Sequence, residues 1–123
     1  MKILIVDDSS AMRKIARRTL RQAGYESAEV VEAGGGGEAL AALDEGPVDL
    51  IVSDLHMPGM DGLELVSQVR RREDGRNVPI VIVTTEAGEQ AVRAALSRGA
   101  SGYVVKPFTP EKLEAVLGRV LPS

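Results

Sequence analysis

The sequence predicts an α/β fold: five strand–helix repeats, (βα)5, forming a doubly wound, five-stranded parallel sheet. Three observations carry this. Ile3-Leu4-Ile5-Val6, Leu50-Ile51-Val52 and Ile80-Val81-Ile82-Val83 are apolar at every position, as strands buried on both faces must be. Segments with helical periodicity lie between them, and alternating strands and helices place helices on both faces of a parallel sheet. The 123 residues contain no long linker and no repeat, so one domain over 1–123 is expected.

The elements follow in chain order. The first strand is the run Ile3–Val6. Met12, Ile15, Ala16, Thr19, Leu20 and Ala23 then repeat at helical spacing, with Ser9 or Ser10 as cap and Gly24 as stop. Ser27–Val31 mixes Glu29 into an apolar stretch, which suits an edge strand. Ala39, Leu40 and Leu43 mark the second helix. The third strand, Leu50–Val52, precedes a helix marked by Leu63, Val66 and Val69. The fourth strand precedes Ala91, Ala94 and Ala95, a weakly apolar helix expected to pack most loosely. Tyr103-Val104-Val105 is a shorter fifth strand. Pro110, favoured in a first turn, opens a helix marked by Leu113, Val116, Leu117 and Val120.

Composition excludes several functions. Without cysteine there is no thiolate chemistry, disulfide or iron–sulfur site, and one histidine cannot build a multi-histidine metal site. The formal charge, 15 − 18 = −3, and three aromatic rings argue against a nucleic-acid surface. The basic runs Arg13–Arg21 and Arg70–Arg72 read as solvated helix faces. No apolar run approaches the roughly 20 residues of a membrane span, and no signal peptide is evident, so a cytoplasmic monomer is expected.

The chemistry gathers at the strand ends. The first strand ends in Asp7-Asp8, the third in Ser53-Asp54, the fourth in Thr84-Thr85 and the fifth in Lys106-Pro107. Ligands of open α/β sheets bind beyond those carboxyl ends. Three carboxylates and one lysine sum to −2, which would repel a phosphoryl group unless a divalent cation intervened. Oxygen-only ligands favour Mg²⁺.

Asp7-Asp8, Asp54 followed by Met57-Pro58-Gly59-Met60-Asp61-Gly62, Thr84 and Lys106-Pro107 together resemble the signature of response-regulator receiver domains, over essentially the whole chain. Asp7–Arg13 and Ala100–Thr109 look closest to the single-domain chemotaxis regulators. The resemblance implies a flavodoxin-like sheet of strand order 2-1-3-4-5, with Asp54 between Asp7-Asp8 and Thr84. It implies Mg²⁺ ligation by Asp8, Asp54 and the His56 backbone carbonyl, with Asp7 acting mainly through water. Asp54 is then the phosphoacceptor for a histidine kinase. Thr84 and Lys106 bind the phosphoryl oxygens, and Tyr103 is the switch aromatic that turns inward as Thr84 moves. Output passes through the face of the fourth helix, fifth strand and fifth helix, with Ala87, Glu89, Arg93, Tyr103 and Lys112 as contacts, possible targets including a flagellar motor switch. The first helix, with Met12, Arg13 and Ala16, is the kinase-side contact, with the core as the alternative place for Ala16. The Lys106–Pro107 bond is expected to be cis.

His56 and Glu86 each lie two residues past a key position. Either side chain could tune water attack on the aspartyl phosphate, although an exposed loop imidazole is the simpler reading for His56. Gly34-x-Gly36-x-x-Ala39 mimics a dinucleotide fingerprint but follows an edge strand and is set aside; four glycines there should make the loop mobile. Two other functions compete. A phosphorylation-independent adaptor would not need Asp54, Thr84 and Lys106. A metal-dependent phosphatase would need an acid–base residue beside Asp54, and none is evident.

Overall fold

The computed structural model describes residues 1–85, 89–107 and 109–122. Strands β1 (Lys2–Val6), β2 (Glu29–Ala33), β3 (Leu50–Asp54), β4 (Ile80–Thr84) and β5 (Gly102–Val105) form one sheet in the order β2-β1-β3-β4-β5. All four pairings are parallel. Helices α1 (Ser10–Leu20), α2 (Gly36–Glu45), α3 (Gly62–Arg71), α4 (Glu89–Arg98) and α5 (Pro110–Val120) alternate with the strands.

Strand alternation sorts the core into two layers. Ile3 and Ile5 of β1 pack with Ala16 and Leu20 of α1 and with Leu113, Val116 and Leu117 of α5. Leu4 and Val6 face the other way, toward Ala39 and Leu43 of α2, Leu65, Val66 and Val69 of α3, and Ala95 of α4. Only Ala95 of α4 is buried, in line with its weak apolar pattern. Burying each large aliphatic side chain contributes about 1.5–3 kcal/mol, so the central strands dominate stability. No helix among the described residues is long and apolar enough to cross a membrane.

Local signals explain the helix ends. Ser9 caps α1 by accepting from Met12 N–H at 3.2 Å, Asp61 caps α3 through Glu64 N–H at 2.9 Å, and Thr109 caps α5 ahead of Pro110. Beyond α1 the chain kinks at Gly24, which takes φ 104°. The Lys106–Pro107 bond is cis.

Two expectations need correction. The second strand is Glu29–Ala33, two residues later than Ser27–Val31. As an edge strand it is only partly buried, so no continuous apolar run marks its limits. The basic runs are not simply solvated. Arg13 and Arg17 reach inward to β2, and Arg70 is half-buried, donating to Gly99 O at 3.0 Å and Gly75 O at 2.7 Å.

Arg70 thus ties α3 to the turns that lead into β4 and β5, at the end of the sheet away from Asp54. Arg70→Ala should strand those carbonyls and lower unfolding stability by about 1.5–3 kcal/mol, the range for hydrogen bonds to a charged group. A urea midpoint unchanged from wild type would show that water replaces the guanidinium at no cost.

Candidate active site

Strands β1, β3, β4 and β5 each deliver a functional group to one rim, at or just past their last residue. The register pairs Val6 with Ser53 and Asp54 with Val83, so Asp7-Asp8, Asp54 and Thr84 emerge side by side. One carboxylate oxygen from each of Asp7, Asp8 and Asp54 lies within 4.8 Å of the others. Lys106 follows β5 and reaches back. Its Nζ lies 3.3 Å from Asp54 Oδ1 and 3.9 Å from Asp7 Oδ2. Its amide donates to Thr84 O at 2.7 Å, which fixes its stem against the fourth strand.

Asp54 is held by its own backbone. Leu55 N–H donates to Asp54 Oδ1 at 2.9 Å, and the hydroxyl of fully buried Ser53 donates to Asp54 O at 3.0 Å. A Cβ on Gly62 would lie 2.5 Å from that same carbonyl, so only glycine lets α3 start so close to the acceptor strand. Asp7 is buried, and its Oδ1 accepts from Ser9 N–H at 2.9 Å. Asp8 is exposed and Thr84 is buried.

Burial raises the Asp7 carboxyl above its ordinary value of 3.8; the Ser9 N–H opposes this, and the charge of Asp54 adds to it. The native state therefore holds the proton more tightly than the unfolded chain. That contribution to stability is full below the ordinary value and is lost as pH rises through the raised one. At neutral pH ionised Asp7 is destabilising. Asp7→Asn keeps an acceptor for Ser9 and removes the charge. It should stabilise the metal-free protein at pH 7 by about 1–2 kcal/mol, a like-charge repulsion near 5 Å in water-rich surroundings. The gain should shrink toward pH 4. Thermal unfolding at both pH values decides the matter, since an equal gain at each would exclude charge as its cause.

The donor set fits a hard divalent cation. Among the described residues three carboxylates converge with no softer ligand between them, and the Lys106 ammonium offsets part of their charge. These ligands suit Mg²⁺, which binds through few carboxylates and retains water.

The response regulator receiver domain family matches residues 3–118. The chain belongs to that family. Chemotaxis protein CheY1 of Helicobacter pylori is 47% identical over 123 aligned residues, covering 96% of this chain and 98% of the relative. Chemotaxis protein CheY-3 of Vibrio cholerae is 40% identical over 120 residues, covering 98% and 91%. Among solved structures, CheY4 of Vibrio cholerae superposes with a TM-score of 0.88 at 42% identity, covering 98% of each chain. The receiver domain of a Pseudomonas aeruginosa sensor histidine kinase, solved with magnesium in its active site cleft, gives 0.86 at 29% identity, covering 99% and 98%. The flavodoxin-like sheet order of receiver domains is the order found here.

Other expected receiver residues fall as follows. Tyr103 points outward, 40% exposed, beside a groove lined by Val105, Lys112 and Val116. Glu89, Arg93 and Lys112 are exposed. His56 is exposed in the loop after β3. Glu86 and Ala87 lie outside the described residues. Of the two places open to Ala16, the kinase face and the core, it takes the core, and Arg13 is turned toward the sheet.

Sequence reasoning missed the support given by Arg13, Ser53 and the glycine loop. Arg13 and Arg17 both bind Glu32. Desolvation alone would raise the Glu32 carboxyl, but these hydrogen bonds and charges hold it below its ordinary value. In the loop, Gly36 and Gly37 already begin α2. A side chain at Gly36 would collide with Met60 of the acceptor loop, so this glycine makes room for a neighbour. The Gly-x-Gly spacing alone could not show that. The i, i+4 spacing of Arg13 and Arg17 was visible, but their shared partner needs the strand register.

Proposed function

We propose that the chain is an aspartate-phosphorylated switch of the receiver type, accepting a phosphoryl group on Asp54 from a histidine kinase and changing its partner binding in response. The observation that carries this is the meeting of three carboxylates within 4.8 Å, with the Lys106 ammonium 3.3 Å from Asp54. An Asp54 oxygen attacks phosphorus. The bond from phosphorus to the donor's imidazole nitrogen breaks, and its electron pair stays on that nitrogen.

Bound Mg²⁺ would supply charge neutralisation and in-line orientation for the phosphoryl group. Asp8, Asp54 and the His56 carbonyl would hold it directly, and Asp7 through water. Thr84 and Lys106 would bind phosphoryl oxygens. Tyr103 would respond as Thr84 shifts, altering the surface of α4, β5 and α5. The side chains of His56 and Glu86 would set the lifetime of the aspartyl phosphate. The role is regulatory rather than that of a turnover enzyme. The resemblance to chemotaxis proteins supports motility signalling from the cytoplasm as a single-domain monomer, with an output partner such as a flagellar switch component.

The test is a small-molecule phosphodonor with and without Mg²⁺. One hydroxylamine-labile phosphoryl group should appear, and only with metal. The ligand roles make a sharper prediction. Asp8→Ala should weaken Mg²⁺ binding by more than about 100-fold, and Asp7→Ala by no more than the roughly 10–100-fold that loss of an indirect partner costs. Calorimetric titration compares them, and equal losses would contradict the division of roles.

A further inference from the structure

We propose that Arg13 is a positioning residue for the acidic pair, acting through the peptide bond that joins Asp7 to Asp8. This rests on the reading above, that the acidic cluster binds a divalent cation.

The β-ladder runs out where the acids begin. Asp7 N–H still donates to Ala33 O at 3.1 Å, but β1 has ended at Val6. The next peptide carries both side chains of interest, Asp7 before it and Asp8 after it. Its orientation decides whether the two carboxylates converge. The Asp7 carbonyl accepts from Arg13 Nη1 at 2.7 Å. On the same guanidinium, Nε donates to Glu32 Oε1 at 2.9 Å.

That fork is itself held. Arg17, one turn later, donates Nη2 to the other Glu32 oxygen at 3.0 Å. The Arg13 side chain is only 19% exposed. Glu32 stands near the end of β2, which pairs with β1 up to Val6 and Ala33. Sheet, helix and guanidinium therefore close a loop around one peptide. A planar guanidinium offers two donors at fixed angles, which a lysine ammonium on a flexible stem cannot reproduce. Glu32, shared with Arg17, offsets part of its charge, which lessens its opposition to a bound cation.

Charge and position predict opposite outcomes. If Arg13 acted only as a nearby positive charge, its removal would tighten Mg²⁺ binding. If it sets the Asp7–Asp8 peptide, removal loosens the ligand pair and weakens binding. A merely structural role would lower stability and leave affinity unchanged.

The experiment titrates Mg²⁺ calorimetrically into metal-free wild type and the variants Arg13→Ala, Arg13→Lys, Glu32→Gln and Asp8→Ala. Backbone NMR spectra of each are recorded without metal. Arg13→Ala should weaken Mg²⁺ about tenfold, as loss of a ligand-orienting partner does. Arg13→Lys should recover only part of that, and Glu32→Gln should show a smaller loss. Without metal, the Asp7 carbonyl carbon and Asp8 amide signals should move in Arg13→Ala. Unchanged or tighter binding by Arg13→Ala, or full recovery by Arg13→Lys, overturns the proposal. If wild type binds no Mg²⁺, or Asp8→Ala binds it as well as wild type, the metal-site reading fails instead. The metal-free spectra then decide the role of Arg13, because unmoved Asp7 and Asp8 signals would overturn it. Should Arg13→Ala fail to fold, Arg13→Lys and Glu32→Gln carry the same comparison, and wild-type affinity in both would overturn it.

Discussion

Asp54→Ala is expected to abolish labelling by acetyl phosphate in the presence of Mg²⁺, leaving no stoichiometric phosphoprotein by intact mass. The neighbouring groups explain why nothing should substitute for it. Asp7 is buried, with one oxygen on the Ser9 amide and the other 3.9 Å from Lys106. The Ser53 hydroxyl is fully buried and donates to the Asp54 carbonyl. Asp54 combines partial exposure with the Leu55 amide and the Lys106 ammonium on its Oδ1. Both contacts hold the carboxylate in place, with its other oxygen left for attack. The wild-type label should be an acyl phosphate, cleaved by hydroxylamine, which a serine or threonine phosphate would survive. Labelling of Asp54→Ala at the wild-type rate would place the nucleophile elsewhere. The loss should not come from unfolding, because removing one of three clustered carboxylates relieves repulsion in the metal-free protein.

The same contrast between contiguous and dispersed signals runs through the whole chain. Strands β1, β3 and β4 were legible because each is a continuous apolar run with both faces covered. Their last residues then named Asp7, Asp8, Asp54 and Thr84 without any knowledge of side-chain packing. Lys106 was legible by reach, since a four-carbon stem spans the neighbouring strand. β2 was placed two residues early because an edge strand with Glu29 and Glu32 exposed carries no such run. The support of the site was hidden for a related reason. Arg13 looks like any other basic residue on an amphipathic helix. Only the register of β2 against β1 puts Glu32 and the Asp7 carbonyl within reach of one guanidinium. Gly36 likewise looked like part of a mobile glycine tract, while its proximity to Met60 depends on two loops from different strands meeting.

Lys106→Ala should separate phosphorylation from switching. In the unphosphorylated state the ammonium bridges Asp54 and Asp7. Phosphorylation converts the Asp54 carboxylate to a neutral acyl group bearing a more highly charged phosphoryl, so the lysine follows the charge to the new oxygens. Lys106 directly succeeds β5, and its amide is bonded to Thr84 O. Its displacement therefore pulls on the strand that carries Tyr103 and on the end of β4 at once. Removing the side chain leaves Asp8 and Asp54 to bind Mg²⁺, so acetyl phosphate or its mimic beryllofluoride should still load Asp54. What should be lost is transmission. In wild type, loading should shift the NMR signals of Tyr103, Glu89, Arg93 and Lys112. It should also raise output-partner affinity within the roughly 5–150-fold span of allosteric couplings. In Lys106→Ala, signals around Asp54 should still respond, while those of Tyr103 and the α4–α5 surface stay at their unloaded positions. The coupling should fall to less than about twofold, below that span. If Tyr103 responds in the variant as in wild type, the signal travels through Thr84 alone, and Lys106 serves only to hold the phosphoryl group.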